Sequence, residues 1–98
     1  MSLLGGPLPS AFVRREVVLV PYAERAYLAA EWRGALVIVE HGALELVGLS
    51  GTRRRLDPGA VLWLSGLPLR ALRNPGPAST TVVGISRRPM SSQRGPGL

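Results

Sequence analysis

The stretch 35-ALVIVEHGALEL-46, followed by 56-LDPGAVLWLSGLPLRALRNPGP-77, decides how this chain is read. Short runs of Val, Leu and Ile alternate with compact turn signals, which is the signature of an antiparallel all-β domain. His41-Gly42 and Ser50-Gly51 each separate two apolar runs as hairpin turns, with glycine supplying the positive φ. Asp57-Pro58-Gly59 is a third turn, its proline fixing the first corner, and Asn74-Pro75-Gly76-Pro77 closes the next run in the same way. Working outward, the pattern places strands near 13–21, 25–32, 35–40, 43–49, 52–57, 60–64, 70–74 and 80–87. The segment 22–32 is the only helix candidate. It lacks caps and length, and is read as strand.

The chain has 98 residues, enough for one domain. Residues 1–11 carry Gly5, Gly6, Pro7 and Pro9 without periodicity and read as a flexible arm. Residues 12–88 form the β-domain, and 89–98 read as a disordered tail. A domain this small buries only roughly 60–65% of its unfolded surface, so support from a second subunit is expected. There is no cysteine, which removes disulfides, thiolate zinc sites and thiol nucleophiles from consideration. No apolar run approaches the length of a membrane span, and a cytoplasmic protein is expected.

The net charge is +6, yet all twelve basic residues are arginine. That bias, with twelve glycines and nine prolines, reads as the mark of a GC-rich bacterial genome. The aromatics Phe12, Tyr22, Tyr27, Trp32 and Trp63 are not interleaved with arginine as a base-stacking surface requires. Nucleic-acid binding is therefore not expected.

The two quoted phrases resemble the paired motifs of the cupin superfamily, G(X)5HXH(X)3,4E(X)6G and G(X)5PXG(X)2H(X)3N. The second motif fits Gly59 to Asn74, with Ser65 at the proline position, Leu67 at the second glycine and Arg70 at the histidine. The first ends on Gly42, which puts Ala35 at the glutamate and Ala29 and Glu31 at the two histidines. The resemblance implies a cupin-like double-stranded β-helix, that is, a jelly-roll barrel, and dimers are common in that superfamily. It also implies a metal on three histidines and a carboxylate, and this chain departs from the pattern at those positions. A divalent metal in an N/O site needs several converging donors. Alanine donates nothing, Arg70 is a permanent cation, and Glu31 alone does not hold a metal. No metal and no cofactor are expected.

The remaining candidates are few. His41 is the only histidine and reads as an exposed turn residue. In the motif register Glu31 and Arg70 face each other inside the barrel as an ion pair, with Arg33 or Arg73 as a further partner. The same pair marks a polar pocket, Arg70 presenting its fork to a carboxylate or phosphate, with Trp63 as an additional contact. Trp32 and Trp63 otherwise read as core or subunit contacts. Three functions of different classes follow: a metal-free module that binds or senses a small anionic or polar ligand; a metal-independent isomerase or cyclase with Glu31 as general base and Tyr22 or Tyr27 as acid; and a structural or interaction protein whose barrel is filled with side chains. A homodimer, formed by strand exchange or sheet packing, is expected in each case.

Overall fold

A computed structural model describes residues 11–87; all but the last residue of the arm expected over 1–11, and the tail expected over 89–98, lie outside the described residues. Eight strands follow in chain order: β1 (Phe12–Leu19), β2 (Glu24–Ala26), β3 (Leu36–His41), β4 (Leu44–Gly48), β5 (Arg53–Leu56), β6 (Val61–Trp63), β7 (Leu69–Arg73) and β8 (Thr80–Arg87). One helical turn, α1 (Ala29–Trp32), lies between β2 and β3. All pairings are antiparallel. The strands form two four-stranded sheets, ordered β1-β8-β3-β6 and β2-β7-β4-β5. Among the described residues these sheets face each other without joining into a closed barrel.

Alternation along the strands divides each sheet into an inner and an outer face. Val17, Val37, Val39 and Val82 of the first sheet meet Leu44, Leu46 and Leu72 of the second in one buried cluster. Trp32 and Leu64 complete that cluster, and both are almost wholly buried. On the outer face of the first sheet Ile38, Val83 and Ile85 form a second apolar cluster, with Phe12 packed against it.

The segment from 29 to 32 departs from the strand expected there. Ala29-Ala30-Glu31 is a run of good helix formers, and the bonds from Glu31 N to Leu28 O and Ala35 N to Trp32 O wind it into a turn. The reward is burial of the Trp32 indole, which is 1% exposed. Its six-membered ring lies over Gly84, where an added Cβ would sit 3.4 Å from it. Glycine at 84 thus seats the ring against the sheet.

The turns follow the sequence closely. The Asp57-Pro58-Gly59 corner is closed by Ala60 N donating to Asp57 O, and Gly59 N binds Val39 O. Gly42 has φ +69°, and a Cβ there would stand 2.5 Å from Ser79 O, so neither the backbone nor the neighbour tolerates a side chain. Asn74 is 0% exposed and acts as a hub. Its Nδ2 donates to Leu19 O, Val20 O and Ala78 O at 3.0, 3.1 and 2.7 Å, and its Oδ1 accepts from Gly76 N at 3.0 Å. One side chain thereby ties the end of β1 to the turn between β7 and β8.

Candidate functional site

The strand registers place the start of β1, the end of β8, the start of β3, the start of β7 and the start of β5 at one end of the domain. This end is the mouth. Arg15 lies on the same face of β1 as core residue Val17, and Arg25 on the same face of β2 as its partner Leu72. Arg54 is opposite Leu46, and Arg70 is two residues from Leu72 on β7, so both belong to the inner face as well.

Glu31 rises from α1 into this setting. Its Oε2 accepts from Arg25 Nη2 at 2.5 Å and pairs with Arg15 Nη2 at 3.0 Å. Arg15 Nη1 also donates to the Glu31 backbone carbonyl at 3.3 Å, and its guanidinium lies 5.0 Å from the centre of the Trp32 ring. A cation over an indole face is favourable, and here it also holds Arg15 across the mouth. The expected Glu31–Arg70 pair does not form. The reason is the helical turn: Glu31 is not on a strand facing β7, and the carboxylate meets the arginines of β1 and β2 instead.

Among the described residues the mouth carries four inner-face arginines against one carboxylate. Among the described residues, Arg54 and Arg70 have no ion-pair partner, and both are exposed. A cleft of about 190 Å³ opens between Arg15, Glu31, Trp32, Ala35, Gly84 and Ser86. A second depression of about 310 Å³, floored by Leu46, Leu67 and Leu69 and flanked by Thr52 and Arg54, opens at the second sheet. Beside the first cleft three buried polar atoms lack a protein partner: the donors Arg25 Nε and Trp32 Nε1, and the acceptor Glu31 Oε1. Each unsatisfied buried group costs about 1–3 kcal/mol.

The other sequence candidates fall elsewhere. Arg73 lies on the outer face, bound to Glu45 at 3.0 Å. Arg33 is exposed beyond α1, and Trp63 is 57% exposed on the outer face, away from the cleft. Tyr27 is at the mouth, its hydroxyl donating to Leu64 O at 3.3 Å. Tyr22, with φ 61°, occupies a turn at the opposite end beside Val20 and Asn74, remote from Glu31. His41 is exposed at that same far end, where β3 terminates. Arg15 and Arg25, which the sequence reading passed over, are the residues that engage Glu31. The alternation Val13-Arg15-Val17-Leu19 was the available signal, because it sets Arg15 on the core face.

The donor set does not fit the superfamily's metal. The positions corresponding to its ligands hold Ala29, Glu31, Ala35 and Arg70. Among the described residues no three His, Cys, Asp or Glu side chains converge. Trp32 and Leu64 fill the space between the sheets beneath the mouth.

No protein-family model matches the chain. No curated protein matches it either. Solved structures do. The Cupin_2 domain of an XRE family transcriptional regulator from Enterobacter cloacae is 24% identical, with a TM-score of 0.56, over 81% of this chain and 83% of that one. A sugar phosphate isomerase of the cupin superfamily from Silicibacter pomeroyi is 30% identical, with a TM-score of 0.56, over 82% of this chain. The match spans 53% of that isomerase, about half its length. A Cupin 2 conserved barrel domain protein from Salinispora arenicola is 22% identical, with a TM-score of 0.55, over 83% of this chain and 69% of that one. Two facing antiparallel sheets, the turn geometry around Gly42 and Asn74, and these three likenesses agree: the chain is a cupin-like protein.

Proposed function

We propose that this protein is a metal-independent cupin-like module that binds a small anionic ligand at the mouth between its two sheets. The observation that carries the reading is the charge balance there, with Arg15, Arg25, Arg54 and Arg70 on the inner face against Glu31 alone. A guanidinium fork matches a carboxylate or phosphate in two parallel hydrogen bonds. The sugar phosphate isomerase among the structural neighbours acts on a phosphorylated sugar, an anion of this kind. Catalysis by Glu31 with Tyr22 has no geometric support, since Tyr22 lies at the other end of the domain.

Thermal denaturation with a panel of carboxylates, inorganic phosphate and sugar phosphates, at matched ionic strength, tests this. A ligand at a hundred times its Kd adds about 2.7 kcal/mol, so the wild-type melting temperature rises by roughly 10–20 °C. The rise is smaller in Arg70→Met, an exposed position whose loss leaves the fold intact, and absent in Arg15→Met. If no anion shifts the wild type beyond the salt control, the binding reading is wrong. The filled space under Trp32 would then favour an interaction protein. Retention of about one equivalent of a transition metal after dialysis would contradict metal independence.

A further inference from the structure

The chain has six acidic side chains, Glu16, Glu24, Glu31, Glu40, Glu45 and Asp57, and all six are among the described residues. None of them reaches Arg54. Glu31 holds Arg15 and Arg25, Glu45 holds Arg53 and Arg73 on the outer face, and Asp57 holds Arg55 at the far end of β5. Glu16, Glu24 and Glu40 belong to outer faces as well. Arg54, opposite Leu46 on the inner face, therefore keeps its full charge, and it borders the depression of about 310 Å³ floored by Leu46, Leu67 and Leu69. Backbone bonds set the walls of that depression. Leu49 N donates to Pro68 O at 2.9 Å, which ties the β4–β5 turn to the loop before β7. Within the loop, Leu67 N donates to Leu64 O at 3.1 Å and Leu69 N to Leu67 O at 2.9 Å, and Gly66 turns the chain with φ +87°. Leu67 is 40% exposed on this loop, so its side chain adds little to the core and lines the hollow instead.

We propose that this depression is the apolar half of the ligand site and takes an aliphatic carboxylate. The alkyl chain lies over Leu46, Leu67 and Leu69, and the carboxylate stands at the mouth on Arg54. The inference rests on the anion-binding reading above and narrows it, from any small anion to one with an aliphatic body of several carbons. An unpaired guanidinium beside an apolar floor is complementary to such a molecule at both ends: the fork meets the carboxylate, and the floor removes the chain from water. The volume sits at the lower end of the roughly 300–1,000 Å³ typical of small-molecule pockets, which suits a short chain. None of Ala29, Glu31, Ala35 and Arg70, the positions that correspond to the superfamily's metal ligands, lines this depression. It is a site apart from the metal position, formed by the β4–β5 hairpin and the loop that precedes β7.

A homologous series tests the two halves separately. Dissociation constants of butanoate, hexanoate and octanoate are measured on the full chain by titration calorimetry, with inorganic phosphate and octan-1-ol alongside. Each added methylene tightens binding about two- to fourfold, the gain for burying half to all of it, so octanoate binds at least about fifteenfold tighter than butanoate. Octan-1-ol, which has the chain without the charge, binds at least about tenfold more weakly than octanoate. Arg54→Met weakens the whole series about tenfold and keeps the dependence on chain length. Leu67→Asn leaves butanoate unchanged and flattens the dependence on chain length; Leu67→Ala replaces it if the asparagine variant does not fold. If phosphate and the three carboxylates bind alike, the anion-binding reading stands and the aliphatic site is wrong. If none of them binds above a salt control, both fall. A chain-length gain that survives Leu67→Asn, or octanoate binding that Arg54→Met does not weaken, also overturns the proposal.

Discussion

Replacing Asn74 with alanine is the sharpest test of how the turns are held. The residue is wholly buried; its two amide N–H groups are shared among three backbone carbonyls, and its oxygen accepts from a backbone N–H. A typical hydrogen bond contributes a net of about 0.5–1.5 kcal/mol, and a buried partner left unpaired costs about 1–3 kcal/mol. Two donor N–H groups and one acceptor lost together, with partial access of water to the turn, give a destabilisation of about 3–5 kcal/mol. The whole domain is stable by only about 5–15 kcal/mol. At about 4–8 °C per kcal/mol for a domain of this size, the melting temperature falls by roughly 12–40 °C. The assay is urea or thermal unfolding followed by circular dichroism. Arg70→Ala is the matched control, taken from the same motif but exposed and without an ion pair, and it changes stability by less than about 0.5 kcal/mol. A loss below about 1 kcal/mol for Asn74→Ala would show that the hub is not holding β1 to the β7–β8 turn, because even one stranded carbonyl costs that much.

Two further outcomes follow from the core and the turns. Trp32→Ala destabilises by about 3–5 kcal/mol, whereas Trp63→Ala leaves the isolated fold within about 1 kcal/mol, as measured by urea titration; similar losses at both positions would refute the burial of Trp32. Gly42→Ala destabilises by about 1–3 kcal/mol, from positive φ and from the contact with Ser79 O, while Gly51→Ala meets no neighbour and loses less; equal losses in thermal unfolding would show that φ alone matters.

Most of the strands were legible because their limits are written in turn chemistry. Gly42, Gly51, Pro58-Gly59 and Asn74-Pro75 punctuate the chain, and between them alternation has one register that buries the apolar face. Residues 25 and 26 are strand as expected, but 29–32 form a helical turn instead, because Ala, Leu and Tyr at mixed spacing satisfy neither period well. What settles it is a tertiary contact, the seat for Trp32 on Gly84, which local sequence does not display. The error then propagated. With 29–32 read as a strand, Glu31 was set opposite Arg70; once it is a turn, the carboxylate reaches Arg15 and Arg25 instead. The pairing of Glu31 with Arg15 spans sixteen residues and depends on strand order, so it becomes visible only when the sheets are assembled.

The register of β1 with β8 also sets the order of events during synthesis. Leu19 emerges from the ribosome 61 residues before its partner Thr80. At about 5–20 residues per second, the first strand waits roughly 3–12 s with neither edge covered. Translation therefore proceeds with an aggregation-prone strand in hand, and the sheet closes only when the last strand has left the exit tunnel. The charges of Arg14, Arg15 and Glu16 keep that strand hydrated in the interval.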